Sequence, residues 1–244
     1  MEELLFKAEH SLVEQSLNAT EAKVPTNGDG FGVGWFADRN EPGLYREIMP
    51  AWNDCNLQHI AHQIRTKHFF AHVRASTGTA TSRDNCHPFA VGNWMFMHNG
   101  QIGDYSVLRR QLEALIPDSL YQSRRGTTDS EALFLILLGA METMAPEDAI
   151  CWLVERVVEL QREAAIRAPF RCTFALTDGS RSYFFRYASD NRAPSLYLSK
   201  REDSLLVLSE PLSEDTDLWE PIEPGVVIMA RGHEIVGSRS LGAA

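Results

Sequence analysis

The sequence predicts a single α+β domain in which two mainly antiparallel sheets have helices packed outside them. Short apolar strands occur on both sides of a central helical block, so strands and helices come in blocks and do not alternate regularly. Turn dipeptides such as Asp178-Gly179 separate the later strands. No internal repeat or low-complexity linker divides the 244 residues, which suits one domain over 1–244.

The first hundred residues contain two predicted helices and three predicted strands. Apolar residues of 2–17 recur at roughly helical spacing, and 57–64 is predicted to be a second helix. A Gly-rich turn opens the segment 26–36 and leads into a strand. Apolar runs at 68–76 and 94–98 predict two further strands.

Start and stop signals define the helical block in the middle of the chain. Asp104 is a candidate N-cap, Thr128 and Glu131 have the Thr-x-x-Glu spacing of a capping box, and Pro146 suits a first helical turn. The predicted helices are 104–115, 128–144 and 146–167.

From residue 170 onward the pattern changes to short strands. They are predicted at 172–178, 182–188, 195–199, 204–210 and 225–230. Residues 231–244 are predicted to be a polar tail, and no synthase domain is expected after residue 230.

The charge balance narrows the range of partners. Asp and Glu number 33 against 23 Lys and Arg, which gives a formal net charge of −10 and a pI near 5.3. Phosphate contacts need clustered basic residues, so we expect neither nucleic-acid nor anionic-membrane partners. A small basic pocket for one anionic ligand group remains compatible with this composition.

The cysteine pattern and the hydropathy indicate a cytoplasmic protein. The four cysteines are far apart and have no CxxC spacing, which is typical of reduced thiols and predicts neither a disulfide framework nor a zinc site. We find no signal-peptide pattern, and no apolar run approaches membrane-spanning length.

Two charged residues, remote in the chain, are candidates for binding an α-amino acid. Arg74 follows an apolar run, and its planar fork suits a ligand carboxylate, although a structural ion pair at a sheet end is equally compatible. Asp129 begins a predicted helix, where the helix dipole alone favours a carboxylate. If both side chains enter one pocket, Asp129 would hold the ligand ammonium group and Arg74 its carboxylate.

Asn99 and Gly100 end the apolar run WMFM at 94–97. A side-chain amide and a neighbouring backbone N–H are the donors of an oxyanion hole, which stabilises the negative oxygen of a tetrahedral intermediate. Asn-Gly is also a strong turn dipeptide, and a turn is the simpler interpretation of these two residues alone. The Asn-Gly-Asp-Gly segment at 27–30 allows the same two interpretations.

The histidines give no defensible metal motif. His72, His87 and His98 can approach one another across paired strands, but their spacing matches no known ligand set, so structural histidines are the better interpretation. We predict no metal and no cofactor.

Taken together, five segments resemble the class II glutamine amidotransferases of the N-terminal-nucleophile hydrolase fold. They are NGDGFGVGW, AHVRASTG, NCHPF, FMHNGQI and RGTTDSEA. They are most similar to the stand-alone group that includes γ-glutamyl hydrolases. The resemblance spans about residues 4–230 and implies a four-layer α/β/β/α sandwich.

The resemblance also implies roles for individual positions. Arg74, Ser76 and Thr77 match residues at the substrate α-carboxylate, and Asp129 matches the carboxylate that holds the α-amino group. Asn99 and Gly100 match the oxyanion-hole pair. Supporting positions are Gly28, Asp29 and Gly30 in the glycine loop, His87 in the His-Pro motif and His98 in the His-Asn-Gly motif.

The family's nucleophile has no counterpart among these residues. The resemblance implies an N-terminal cysteine whose thiol attacks the amide and whose own α-amino group is the base, a group with a pKa of about 7.7–8.0. Here Met1 is followed by Glu2. We therefore expect the first strand, which carries this cysteine, to be missing from 1–244.

Two functions follow from the resemblance. The first is hydrolysis of the γ-amide of glutamine or of a γ-glutamyl compound through a cysteine thioester, with a separate ammonia-accepting synthase as an optional partner. The alternative is an inactive module that binds glutamine or a γ-glutamyl ligand. In both cases the partner is a small molecule.

Overall fold

The computed structural model describes residues 1–21, 25–76 and 80–242. The α-helices are α1 (Leu12–Leu17), α2 (Cys55–Gln63), α3 (Tyr105–Glu113), α4 (Asp118–Tyr121), α5 (Asp129–Ala140) and α6 (Pro146–Glu163). The strands of the first half are β1 (Phe31–Phe36), β2 (Gly43–Glu47), β3 (His68–Val73), β4 (Phe89–Val91) and β5 (Trp94–Ile102). Those of the second half are β6 (Phe170–Thr177), β7 (Arg181–Ala188), β8 (Tyr197–Lys200), β9 (Leu205–Leu208), β10 (Glu220–Pro221), β11 (Val226–Arg231) and β12 (Glu234–Ser240).

The largest sheet has six strands in the order β12-β11-β7-β6-β5-β4, and neighbouring strands are antiparallel. Its longest pairing joins β5 and β6, in which Met95 lies opposite Thr177 and Ile102 opposite Phe170. Side chains alternate between the two faces of each strand. In β5, Phe96 and Ile102 belong to the core on one face, whereas Met95 belongs to the core on the other.

The second layer of strands consists of two three-stranded antiparallel sheets, β2-β1-β3 and β10-β8-β9. Both sheets contribute to the core that covers the six-stranded sheet. Phe70 of β3 and Leu198 of β8 pack there with Ala175 of β6 and Phe184 of β7.

Three apolar cores separate four layers, as the α/β/β/α prediction requires. One core joins the six-stranded sheet to α3, α5 and α6, the second lies between the strand layers, and the third joins the β1 sheet to residues of α1 and α2. The predicted fold class is confirmed. Helix α5 is buried almost all round, from Ala132 to Leu138, because it lies between the sheet and the other helices.

Side-chain capping explains where α5 begins but not where α3 begins. The Thr128 hydroxyl accepts the Glu131 N–H at 3.2 Å, as a capping box requires, but the Glu131 carboxylate accepts the N–H groups of Arg125 and Gly126. Asp104 precedes α3 with φ of 51° and makes no capping hydrogen bond through its side chain. Asp104 therefore occupies the predicted N-cap position, but the prediction that its side chain caps the helix is wrong.

The two ends of the chain differ from the sequence-based prediction. The predicted helix over 2–17 is interrupted: a π-helical turn at Glu3–Lys7 precedes α1. Residues 234–240, predicted to belong to a tail, form the edge strand β12, which pairs with β11. Within the described ranges, no helix combines the length and the apolar character that crossing a bilayer requires.

Phe134→Ala should destabilise the protein by about 3–5 kcal/mol, because it opens a cavity in the largest core. The Phe134 ring is fully buried and stacks on Phe96 at a centroid distance of 5.3 Å. Urea unfolding at neutral pH measures the change. Val107→Ala, at a position that is 64% exposed on α3, is the control and should stay within about 0.5 kcal/mol; equal effects would contradict this packing.

Candidate functional site

Hydrogen bonds tie Arg74 to the glycine loop that precedes β1. Arg74 lies directly after β3 and is 5% exposed. Its backbone N–H donates to Gly30 O, and its guanidinium donates to Asp29 O at 3.1 Å and to the Ser76 hydroxyl at 3.3 Å. The Asp29 carboxylate accepts the Ser76 N–H at 2.7 Å. Four of the predicted site residues therefore form one cluster, in which further contacts of Arg74 and Ser76 are also present. Thr77 lies outside the described residues.

The glycine loop needs its glycines because of what lies beside it. Gly30 has φ of 118°, and a Cβ there would lie 2.7 Å from Cys86 Sγ. A Cβ on Gly28 would come within 3.0 Å of the Trp52 ring. The loop thus runs in close contact with side chains and with the backbone of β2.

Asn99 and Gly100 lie inside β5, which continues to Ile102, so the turn interpretation is wrong. Asn99 is opposite Thr173 and Gly100 opposite Cys172, and both Asn99 and Gly100 are exposed. Gly100 has φ of 144°, and a Cβ there would lie 2.1 Å from the Arg171 carbonyl oxygen. Only glycine fits this position, for conformational and for steric reasons.

Asp129 is held between α5 and β5. One carboxylate oxygen accepts the Ile102 N–H at 2.8 Å and the other accepts the Ser130 N–H at 2.8 Å. The Ser130 hydroxyl lies 2.8 Å from His98 Nδ1. The first turn of α5 is thereby attached to β5 on both sides of Asn99 and Gly100, through His98 and Ile102.

Three histidines occupy the space near these two clusters. The rings of His72 and His87 are 4.3 Å apart between centroids. Burial is the main cause of a lowered pKa in all three: to about 4 for His72, well below the ordinary value for His87, and also lowered for His98. The Arg74 charge lowers the pKa of His72 and His87 further, whereas the Asp129 carboxylate opposes the effect of burial on His98. All three rings are therefore neutral at pH 7.

The causes of these pKa shifts indicate that the predicted site residues lie near one another. The Arg74 charge lowers the pKa of His72 and of His87, and a protonated His98 would lower both further. The Asp129 carboxylate raises the pKa of His98. Within the described ranges, no three His, Cys, Asp or Glu side chains are arranged to hold a metal ion. Ser130 is a further candidate site residue that the sequence motifs did not indicate. Its place directly after Asp129 was the available signal, but the partner His98 is 32 residues away.

The four cysteines are all free, and the structure gives them different surroundings. Cys86 and Cys172 are buried, and burial raises the pKa of both thiols. Burial also raises the pKa of Cys151 on α6, and Cys55 is exposed at the start of α2. Nucleophilic cysteines have a lowered pKa, so none of the three with a resolved shift resembles one.

Comparison with known proteins identifies the family. The family model for class II glutamine amidotransferases matches residues 6–201. The chain belongs to this family, and its layered fold is of the N-terminal-nucleophile type found in amidotransferases.

Individual relatives support this assignment. The chain is 29% identical to the probable glutamine amidotransferase DUG3 of Saccharomyces cerevisiae, over 96% of this chain and 78% of the relative. It is 26% identical to the γ-glutamyl-hercynylcysteine sulfoxide hydrolase of Mycolicibacterium smegmatis, over 86% and 81%. The structure of a glutamine aminotransferase class-II domain protein from Silicibacter pomeroyi matches with a TM-score of 0.74 and 36% identity, over 88% of this chain and 92% of that one.

From the lowered pKa values of His72, His87 and His98 we expect the stability of the protein to fall as the pH falls. In the unfolded chain an imidazole has a pKa of about 6.5, whereas in the folded protein the pKa of His72 is about 4. Between these two pH values the unfolded chain therefore binds a proton that the folded protein does not bind. The stabilisation is complete above the unfolded pKa and is lost as the pH falls from about 6.5 towards 4. Thermal unfolding from pH 7 to pH 4.5 should show a falling Tm.

His72→Gln should reduce that pH dependence, since glutamine does not titrate. His59→Gln, at an exposed position of α2, is the matched control and should leave the pH dependence unchanged. A Tm that falls equally in the wild type and in His72→Gln would contradict the assignment.

Proposed function

We propose that this protein hydrolyses the γ-amide of glutamine or of a γ-glutamyl compound through a cysteine thioester. The observation that carries the proposal is that β3, which leads into Arg74, packs against β5. Strand β5 carries the exposed Asn99 and Gly100, and its Ile102 N–H donates to Asp129. A guanidinium and a carboxylate in one site suit the two charged groups of an α-amino acid.

Each cluster has a role in the proposed reaction. Arg74 and Ser76 bind the substrate α-carboxylate, a role that the family resemblance also implies for Thr77, and Asp129 binds the α-ammonium group. The γ-carbonyl oxygen then lies at Asn99 and Gly100. Attack by the thiolate gives a tetrahedral oxyanion, which these donors stabilise. Collapse of this intermediate forms the thioester and expels ammonia or another amine, which takes up the proton that the α-amino base removed from the thiol. Water then hydrolyses the thioester to glutamate and the free thiol.

We further propose that the nucleophilic cysteine is carried by a strand preceding residue 1. The second strand layer supports this, because it is divided into two sheets whose edge strands β3 and β9 each pair with a single strand of the described residues. Unpaired strand edges inside a layer leave backbone groups without partners, and one added strand would satisfy both edges.

Helix α1 supports the position of that strand between β3 and β9. It packs against β3, and its Gln15 amide donates to Glu210 O at 3.3 Å and to Pro211 O at 3.4 Å, directly after β9. The helix therefore lies over both edges. A strand inserted beneath it would form part of the layer that also contains β3, the strand that leads into Arg74.

The names of the relatives are compatible both with hydrolysis of a γ-glutamyl compound and with transfer of ammonia. One is named a γ-glutamyl-hercynylcysteine sulfoxide hydrolase and another a probable glutamine amidotransferase. If glutamine is the substrate, we propose a separate synthase as the acceptor of ammonia. A cytoplasmic location stays a prediction from the cysteines, which are free thiols.

The alternative is a binding module without catalysis. It is favoured by the buried surroundings and raised pKa values of Cys86 and Cys172, which leave 1–244 without an activated thiol at either cysteine. The two functions share the same recognition residues and differ only in the presence of the nucleophile.

Recognition is tested by calorimetry of residues 1–244 with glutamine and with γ-glutamylcysteine. Binding should be lost in Arg74→Ala, because each charge-assisted hydrogen bond contributes about 1.5–3 kcal/mol. Arg156→Ala is the control, since Arg156 pairs with Glu159 on the surface of α6, and it should bind like the wild type. Wild-type protein that is folded but gives no heat with either ligand would refute the recognition site.

Catalysis is tested on protein from its native source by N-terminal sequencing and an assay for glutamate release. We expect an N-terminal cysteine and an activity that iodoacetamide abolishes. A chain that starts at Met1 or Glu2, binds the ligand and releases no glutamate would refute the enzyme and support the binding module.

A further inference from the structure

We propose that Ser130 is a positioning residue that, through His98, fixes the oxyanion strand β5 against the first turn of α5. It would thereby set the separation between the donors Asn99 and Gly100 and the carboxylate of Asp129. This inference rests on the proposed function for its consequence in substrate binding, but the positioning itself is a property of the ligand-free protein.

The contacts form a buried clamp around Gly100. Ser130 and His98 are 5% and 3% exposed, and the Ser130 hydroxyl lies 2.8 Å from His98 Nδ1. On the other side of Gly100, the Ile102 N–H donates to Asp129 at 2.8 Å. One helical turn thus holds the strand two residues before and two residues after Gly100.

The His98 imidazole contacts Ser130 through Nδ1 and lies beside Gly100 at Nε2, so it links the position of the serine to that of the glycine. His98 Nε2 would lie 2.9 Å from a Cβ built on Gly100, so the ring is next to the Gly100 backbone. That nitrogen is buried, and an interaction with the Arg171 backbone raises the pKa of His98 without reaching hydrogen-bond geometry. The contact with Ser130 is therefore the hydrogen bond of good geometry that orients the ring, and without it the ring and the Gly100 backbone can both shift.

Asp129 shares the same serine. The Ser130 N–H donates to the Asp129 carboxylate, and the Ser130 hydroxyl is 3.4 Å from the same oxygen. The backbone bond survives any substitution that keeps the helix, so removing the hydroxyl acts mainly on His98. Removal of the Ser130 hydroxyl should therefore shift β5 relative to Asp129, while the Asp129 carboxylate keeps its hydrogen bond to the Ser130 N–H.

A buried serine elsewhere provides the matched control. Ser182 is 1% exposed, and its hydroxyl bonds Thr177 at 3.2 Å at the far end of the six-stranded sheet. Thr177 is four residues along β6 from Thr173, the partner of Asn99, or about 13 Å at about 3.3 Å per residue. Ser182→Ala therefore removes a comparable buried hydroxyl without touching the clamp.

The experiment compares Ser130→Ala, the near-isosteric Ser130→Cys and Ser182→Ala in residues 1–244. Thermal unfolding shows whether each variant is folded, and both alanine variants should lose a similar amount of stability. Amide NMR spectra without ligand should show a shifted Gly100 resonance in Ser130→Ala, a smaller shift in Ser130→Cys and none in Ser182→Ala. Glutamine affinity by calorimetry should fall about tenfold in Ser130→Ala only.

An unmoved Gly100 resonance in a folded Ser130→Ala, or an equal shift in Ser182→Ala, overturns the inference. Unchanged glutamine affinity in a folded Ser130→Ala, measured against a wild type that binds, overturns its consequence for recognition. If the wild type binds no glutamine, the proposed function fails, whereas the Gly100 resonance still decides whether Ser130 positions the strand.

Discussion

The first turn of α5 is the constraint on which the rest of the site depends. The N-cap Thr128 and the first three residues of α5, Asp129 to Glu131, each direct a side-chain oxygen to a different partner. Thr128 caps the helix, Asp129 binds the backbone of β5, Ser130 contacts His98, and Glu131 accepts N–H groups of the preceding loop. A buried carboxylate is stable only when it is fully hydrogen-bonded, so these contacts leave the turn little freedom.

The most buried carboxylate of that turn is neutralised within the protein. Glu131 is neutralised by Arg124, which also pairs with Glu113, so this buried network is satisfied within itself. The rings near Arg74 and Asp129 are neutral imidazoles, because burial lowers their pKa values. A cation at His72 would repel Arg74, and a cation at His98 would compete for Asp129. The proposed zwitterion site between Arg74 and Asp129 is thus compatible with the neutral state of these rings in a protein of net charge −10.

Local sequence signals predicted the elements better than their ends. The apolar run at 94–98 predicted β5 correctly, but the strand continues through Asn99 and Gly100 to Ile102 because β6 supplies partners as far as Phe170. The same reason explains β12, whose polar residues suggested a tail and which is a strand through pairing with β11. Asp104 shows the opposite case, where a residue suited to capping adopts a left-handed backbone and leaves the cap unmade.

The amino-acid sequence by itself determined the order of elements, the α+β class and the residue types of the site, because periodicity, caps and close-packed glycines act over a few residues. The family motifs added the expected roles of Arg74, Asp129, Asn99 and Gly100. Only the tertiary structure decided that the His98 ring lies between Ser130 and Gly100, and that the second strand layer is divided between β3 and β9. These are contacts between residues remote in the chain, and they depend on how the layers pack, which no local pattern encodes.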